Sequence, residues 1–261
     1  MRPVLLATAA VLALALPGTR ADAQRPTLDG AARWADSARR TIEAAQLAGD
    51  SAKLAAARGV VDRALTAWPD DGLLLHYAGY ARYRQAMQSL DAPDGEKRAR
   101  ALLEEAVDLL QRSHARLPLA ETQALLASSY GTMIGESMLN GMRYGPSASR
   151  ANEEAARLGP RNPRVLLLAG IGAFHTPSMW GGGKDKARAL LTQAIAAFAA
   201  DAPAAPLPAW GHAEAYLWLG QVEAAAKNRE AARAAYERAL ALAPGYAWVR
   251  DVLLPRLASG R

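Results

Sequence analysis

The chain has 261 residues, a formal net charge of +6 and no cysteine. The absence of cysteine excludes a disulfide framework and cysteine ligands to a metal. Roughly a quarter of the residues are alanine and only 6% are aromatic, a composition that favours helices over an all-β or doubly wound α/β fold. The basic residues are interspersed with glutamate rather than gathered in one block, so we expect no nucleic-acid partner.

The first 23 residues have the pattern of a secretory signal peptide. Arg2 precedes an apolar stretch at 4–16 that contains no charged residue and one threonine, Thr8, and the Ala-Asp-Ala at 21–23 offers small residues at the −3 and −1 positions of a cleavage site. The apolar stretch is shorter than the about 20 residues that span a bilayer. We therefore predict cleavage after Ala23 and a periplasmic mature chain without a membrane span. An uncleaved N-terminal anchor is the alternative.

Downstream, the sequence predicts five pairs of helices. The second helix of each pair carries three residues at the same spacing. In each, three residues are separated by four and then three positions, which places them on one face of a helix. In four of the five, a proline follows five residues later and ends the helix. The sets are Ala57, Val61, Ala64 and Pro69; Ala106, Leu110, Ser113 and Pro118; Ala148, Asn152, Ala155 and Pro160; Ala187, Leu191 and Ala194; and Ala232, Tyr236, Ala239 and Pro244.

The last set belongs to a unit whose first helix carries Tyr216, Leu219 and Gly220 on its packing face. This order resembles a tetratricopeptide (TPR) repeat, in which small residues let two helices approach closely, and the other sets resemble it in degraded form. The resemblance implies an all-α, right-handed solenoid of about five helix hairpins. A generic antiparallel bundle is the alternative. The units are expected at about 38–71, 72–118, 119–160, 162–200 and 213–246, followed by a capping helix at 247–259 that is kinked at Pro255.

Three units contain extra residues, at 89–96, 137–146 and 176–184, all in the turn between the paired helices. We expect these insertions along one edge of the solenoid, either as a functional rim or as neutral loop variation. In the last, the glycines at 181–183 predict a tight turn with positive φ, and Trp180 is predicted to fold back onto the helices. This loop is loosely similar to one in the TPR component of tripartite ATP-independent periplasmic (TRAP) transporters. The stretch from Asp201 to Pro208 is interpreted as an extended spacer.

In TPR superhelices the first helices line the concave surface. That register predicts an apolar, aromatic groove suited to an extended peptide, a helix or an apolar small molecule. The same register places Glu214 on this wall. For Leu125, Leu167 and Ile171, packing between units is the alternative. The predicted groove residues are His76, Tyr80, Tyr83, Arg84, Ser129, Met133, Phe174, His175, Trp180 and Gln221.

No catalytic motif accompanies this groove. His175 with Glu136, and His212 with Glu214, could be written as acid–base pairs, but an isolated histidine near a carboxylate is usually a surface or capped residue. We therefore predict a non-enzymatic protein without a cofactor or metal. The sequence favours an exported scaffold or adaptor that binds a protein or peptide partner in the bacterial cell envelope.

The alternative function is a periplasmic, transporter-associated module. In that hypothesis a small apolar molecule would bind in the part of the groove that is lined by Tyr80, Tyr83, Phe174 and Trp180.

Overall fold

The computed structural model of the protein describes residues 29–90, 92–135 and 137–260, and the predicted signal peptide lies outside them. The described residues form helices and no β-strand, which confirms the all-α class. None of the described helices is both long enough and apolar enough to cross a bilayer. The α-helices are α1 (Gly30–Ala48), α2 (Ser51–Ala67), α3 (Gly72–Ser89), α4 (Gly95–Arg116), α5 (Ala120–Ile134), α6 (Met138–Leu158), α7 (Pro163–His175), α8 (Lys184–Phe198), α9 (His212–Ala225), α10 (Arg229–Leu242) and α11 (Leu254–Ser259).

Consecutive helices pack as hairpins. The pairs are α1 with α2, α3 with α4, α5 with α6, α7 with α8, and α9 with α10. The second helix of one hairpin packs on the first helix of the next at α2 and α3, α4 and α5, and α8 and α9, and the first helices also touch at α1 and α3 and at α5 and α7. This arrangement confirms a solenoid of helix hairpins.

Close approach within three hairpins depends on glycine. In each, a glycine of the first helix faces the middle residue of the repeated spacing in the second helix, so a Cβ there would clash with that residue. The pairs are Gly79 with Leu110, Gly170 with Leu191, and Gly220 with Tyr236, and the Cβ would lie 2.6, 2.9 and 2.3 Å from the nearest partner atom.

The first helix begins earlier than the sequence pattern predicted, at Gly30 rather than near Ala38. Asp29 caps it, because its side chain accepts a hydrogen bond from the backbone N–H of Ala32 at 3.2 Å. The first buried residue of α1 is Ala35. The sequence around it is rich in alanine, so the hydrophobic pattern does not distinguish this buried alanine from its exposed neighbours.

The insertions at 137–146 and 176–184 take different forms. The first is helical, since α6 starts at Met138 and includes Pro146. The second contains a 3₁₀ turn at Ser178–Trp180, and the positive φ angles of Gly181 (81°) and Gly183 (104°) confirm the predicted glycine turn. The predicted packing of Trp180 is wrong, because its side chain is 75% exposed. The turn is held at the surface instead, where Lys186 donates to the Gly181 carbonyl at 2.7 Å.

The C-terminal helix accommodates its proline by widening. Residues Val249–Leu253 form a π-helical segment directly before α11, which contains Pro255. Proline lacks an N–H and its ring clashes with the carbonyl of the residue four positions earlier, so a wider turn relieves both problems. The predicted kink is therefore a local change of helix type.

We expect Gly220→Ala to lower the free energy of unfolding by about 1–3 kcal/mol, because the new methyl group would overlap the Tyr236 ring. Urea denaturation measures this change. The matched control is Gly131→Ala in α5, where a Cβ meets nothing within 4 Å. There we expect a gain of up to about 1 kcal/mol from reduced backbone entropy. Equal effects at the two positions would contradict the close packing of α9 and α10.

Candidate functional site

Six of the ten predicted groove residues lie in the interior instead of on an open surface. Four come from α3 and two from α5, the helices that were predicted to supply them. Each is at most 4% exposed, so a partner cannot reach it in this conformation. The six are His76, Tyr80, Tyr83, Arg84, Ser129 and Met133.

The inner wall is covered by the protein's own fifth hairpin. Arg84, which is 3% exposed, donates from Nη1 to Oε1 of Glu214 at 2.7 Å and from Nη2 to the other carboxylate oxygen. Glu214 lies in the first turn of α9. A buried charge is tolerated only when it is paired and hydrogen-bonded, and this two-pronged contact supplies both. The pair therefore joins the second and fifth hairpins across the wall.

The stretch from Asp201 to Pro208, which the sequence analysis interprets as a spacer, packs against the same wall. Trp210, which follows it, packs there as well. Asp201 accepts from the buried guanidinium of Arg164 at 3.2 and 2.5 Å. The Tyr77 hydroxyl donates to the carbonyl of Pro206 at 2.5 Å. Beyond the spacer, Trp210 is 2% exposed and stacks on Tyr80 with ring centroids 4.9 Å apart. The segment is thus pinned at its start, middle and end.

A third charged group, Glu43 of α1, borders this region. Burial of its carboxyl raises the pKa of Glu43 to about 7, with Arg84 opposing the shift and Glu214 adding to it. Tyr246, from the chain after α10, is 3% exposed, and burial raises the pKa of its hydroxyl well above the ordinary value. We call Glu43, Tyr80, Arg84, Trp210, Glu214 and Tyr246 the inner seal.

The sequence prediction missed half of the inner seal. Glu43, Trp210 and Tyr246 were not among the predicted site residues, whereas the repeat register placed Glu214 on the concave wall. Trp210 carried one signal, since a tryptophan after a proline-rich stretch is rarely left in water. Glu43 carried none, because an isolated glutamate in an alanine-rich helix is normally solvated.

Among the described residues, His212 does not pair with Glu214, and the buried His76 faces a hydroxyl group. His76 Nδ1 lies 2.9 Å from the Thr122 hydroxyl, and burial lowers the pKa of this imidazole to about 3, so it is neutral. His212 stacks on Phe198 at 5.1 Å, whereas the Glu214 carboxylate binds Arg84. Glu136 lies outside the described residues. Within the described part of the chain, no group of three or more His, Asp and Glu residues could hold a metal ion.

Accessible predicted residues meet at the edge that carries the insertion at 176–184. A cleft of about 520 Å³ opens there, lined by Phe174, His175, residues 176–178 and 182–186, and Ala226. Phe174, His175 and Trp218 form an aromatic cluster with centroids 5.2–6.1 Å apart. Lys184 donates to the Ala225 carbonyl at 3.2 Å and so links the insertion to the fifth hairpin. We call this feature the edge cleft.

The last two predicted residues lie outside the edge cleft. Trp180 projects from the 3₁₀ turn of the same insertion. Gln221 is half-buried, and its side-chain oxygen accepts from the Tyr236 hydroxyl at 3.1 Å. The ten predicted residues therefore divide between a buried wall, the edge cleft and these two separate positions.

Comparison with known proteins places the fold. A thermophilic TPR protein from Thermus thermophilus, TTC0263, is similar in structure with a TM-score of 0.55 at 23% sequence identity, and the alignment covers 80% of this chain and 90% of that one. The fold is TPR-like. No family profile and no curated protein sequence matches the chain.

Two further solved structures are more distant. They are the APC/C hetero-tetramer Cut9–Hcn1 (TM-score 0.47, 16% identity, 78% of this chain and 34% of that one) and the HusA haemophore from Porphyromonas gingivalis (TM-score 0.43, 26% identity, 74% of this chain and 91% of that one).

We expect Glu214→Gln to lower the free energy of unfolding by about 3 kcal/mol, because it leaves the buried Arg84 charge without its counter-ion. Chemical denaturation measures the loss. The control is Glu154→Gln, which removes the partner of Arg157 in an exposed pair on α6 and should leave the denaturation midpoint unchanged. If the two variants unfolded at the same denaturant concentration, Arg84 would not depend on Glu214.

The inner seal should also give stability a specific pH dependence. The folded-state pKa of Glu43, about 7, lies above its ordinary value of 4.5. The folded state then binds this proton more tightly, so the stabilisation is complete below pH 4.5 and is lost as pH rises through 7. Between pH 5 and 7.5 we expect the unfolding free energy of the wild type to fall relative to that of Glu43→Gln, on the order of 2 kcal/mol. Parallel pH curves for the two proteins would contradict this assignment.

Proposed function

We propose that the protein is an exported, non-enzymatic scaffold that binds a protein partner in the bacterial cell envelope through the edge cleft. The observation that supports this proposal is the division of the predicted groove. Its inner wall is filled by the fifth hairpin and Trp210, whereas Phe174 and His175 line an open cleft. A TPR-like fold suggests a role in protein–protein interaction, and the cleft is where a partner has access.

The chemistry of the edge cleft suits a peptide segment. It is an open cleft of about 520 Å³ whose lining combines aromatic, glycine and charged residues. The aromatic cluster of Phe174, His175 and Trp218 offers apolar surface for an anchoring side chain, and aromatic anchors carry much of the binding energy in protein interfaces. Lys184, Asp185 and Lys186 on the rim supply charged groups of both signs.

Export is supported by the pattern of the first 23 residues and by the absence of cysteine from the whole chain. A chain without thiols is compatible with an oxidising compartment. The proposed location is therefore the periplasm.

A second candidate function is the binding of a small apolar molecule in a transporter-associated module. A smaller cavity of about 270 Å³ favours it, lined by Arg39, Arg40, Glu43, Ala44, Leu47, Ala209 and Trp210. This is not the position expected from the sequence, because Tyr80 and Tyr83 are buried. Native mass spectrometry of the protein purified from its own envelope would show a retained small molecule if this function is correct.

To test partner binding, a photo-cross-linking amino acid is placed at Ser178 in the edge cleft. The matched control is Arg161, which is exposed just before α7, at the opposite end of that helix. We expect one protein to cross-link in stoichiometric amount from position 178 and not from position 161. The purified partner should then bind a Phe174→Ala/His175→Ala variant at least about tenfold more weakly, since such anchors contribute about 2 kcal/mol or more.

Two measurements complete this test. N-terminal sequencing of the cross-linked protein is expected to start at Gln24. A Glu237→Ala variant on α10 should bind the partner with unchanged affinity. Equal cross-linking at positions 178 and 161, or full binding by the double variant, would remove the edge cleft from the proposal.

A further inference from the structure

The most exposed apolar side chains are concentrated in two short segments, the start of α6 and the 3₁₀ turn before α8. Their exposed fractions are 75–88%, and all other exposed large apolar side chains of the described residues are at 43% or less. Isolated exposed apolar residues are ordinary, but a concentration of this kind marks an interaction site. The five residues are Met138, Leu139 and Met142 in α6, and Met179 and Trp180 in the turn before α8. We call them the apolar tip.

The two segments lie on the same edge of the solenoid. The first follows the C-terminal end of α5 at Ile134, and the second follows the C-terminal end of α7 at His175. Both helices are the first of their hairpin, and they pack against each other. Since corresponding helices of successive hairpins run in the same direction, their C-terminal ends lie side by side. The apolar tip therefore draws its residues from the same edge of two neighbouring hairpins.

The surroundings of the apolar tip are basic. In the described residues of 137–146 and 176–188 the cations are Arg143, Lys184, Lys186 and Arg188. The acidic group in these stretches is Asp185, which pairs with Arg188 at 2.8 Å, and Arg188 also binds Glu223 of the fifth hairpin at 2.5 Å. Glu136, at the edge of the first stretch in the sequence, adds one more negative charge, so four cations stand against three carboxylates and a small positive charge remains.

We propose that the apolar tip docks the protein on an anionic phospholipid surface. Its side chains project outward on turns at the edge, which suits insertion into the deformable boundary between headgroups and acyl chains. Tryptophan favours that boundary because its ring is amphipathic. The flanking cations attract anionic lipids near the membrane surface. This docking does not require a protein partner, and it shares Lys184 and Lys186 with the edge cleft.

The absence of cysteine from the chain allows a site-specific test. Leu139→Cys and Met179→Cys are labelled separately with an environment-sensitive fluorophore, and Arg161→Cys is the control. Arg161 precedes α7 and Met179 follows it, so a helix of about 20 Å separates the two labels. On adding phosphatidylglycerol vesicles we expect a blue shift and quenching by lipid-borne quenchers at positions 139 and 179, and neither at position 161. The full chain is used. Insertion of the signal peptide alone would not bring positions 139 and 179 into lipid, so the label signal reports contact of the apolar tip itself.

Two comparisons test the charge. Phosphatidylcholine vesicles should give at least about tenfold weaker partition of the labelled protein, because they lack the anionic headgroups. Arg143→Gln/Lys186→Gln should reduce partition on phosphatidylglycerol by at least about tenfold, whereas Glu237→Gln on α10 should not reduce it. Circular dichroism establishes that each variant is folded.

Three results would overturn the proposal. The first is no spectral change at positions 139 and 179 with phosphatidylglycerol vesicles. The second is the same change at position 161. The third is a change at 139 that appears only when a purified protein partner is added, which would make the apolar tip a protein contact instead of a lipid contact.

Discussion

A buried guanidinium that must keep its counter-ion determines which surfaces of this protein are accessible. Arg84 is on the inner wall of the second hairpin, and its carboxylate partner, Glu214, is on the first turn of the fifth hairpin. An unpaired charge at this depth would cost several kilocalories per mole, so the two hairpins are held together. Once they meet, Trp210 stacks on Tyr80 and the concave wall becomes interior.

Closure of the wall moves the available binding surface to the edge. A solenoid with an open concave face would bind a partner along its first helices. Here those helices contact the chain's own C-terminal part, and the insertions project from the edge where the paired helices turn. Met179 and Trp180 of the apolar tip lie in the same turn as the edge cleft, between the two stretches that line it, and the other tip residues lie on the neighbouring hairpin. In the two proposals, a protein partner and a lipid surface therefore bind at the same edge.

The fifth hairpin also shows how a departure from the repeat pattern is compensated. Three residues after Gly220, where the TPR pattern has tyrosine, this chain has Glu223. It is buried, and its carboxylate accepts from Arg188 at 2.5 and 3.2 Å and from Asn228 at 2.7 Å. These hydrogen bonds keep the pKa of Glu223 below its ordinary value. A charged residue at a packing position is thus satisfied by a neighbouring hairpin, which the pattern of a single repeat cannot reveal.

Local spacing in the sequence was sufficient to predict the helix hairpins. Each close glycine contact joins two helices of the same hairpin, so its pairing follows from helix periodicity alone. The glycines are Gly79, Gly170 and Gly220. Only the tertiary structure decided that Arg84 meets Glu214, 130 positions away, and that Trp210 covers Tyr80. Those contacts depend on how far the stacked hairpins curve, a sum of small rotations that no short stretch of sequence encodes. For that reason the inner-wall residues were predicted on the correct helices, but burial was considered only for Leu125, Leu167 and Ile171, which are buried.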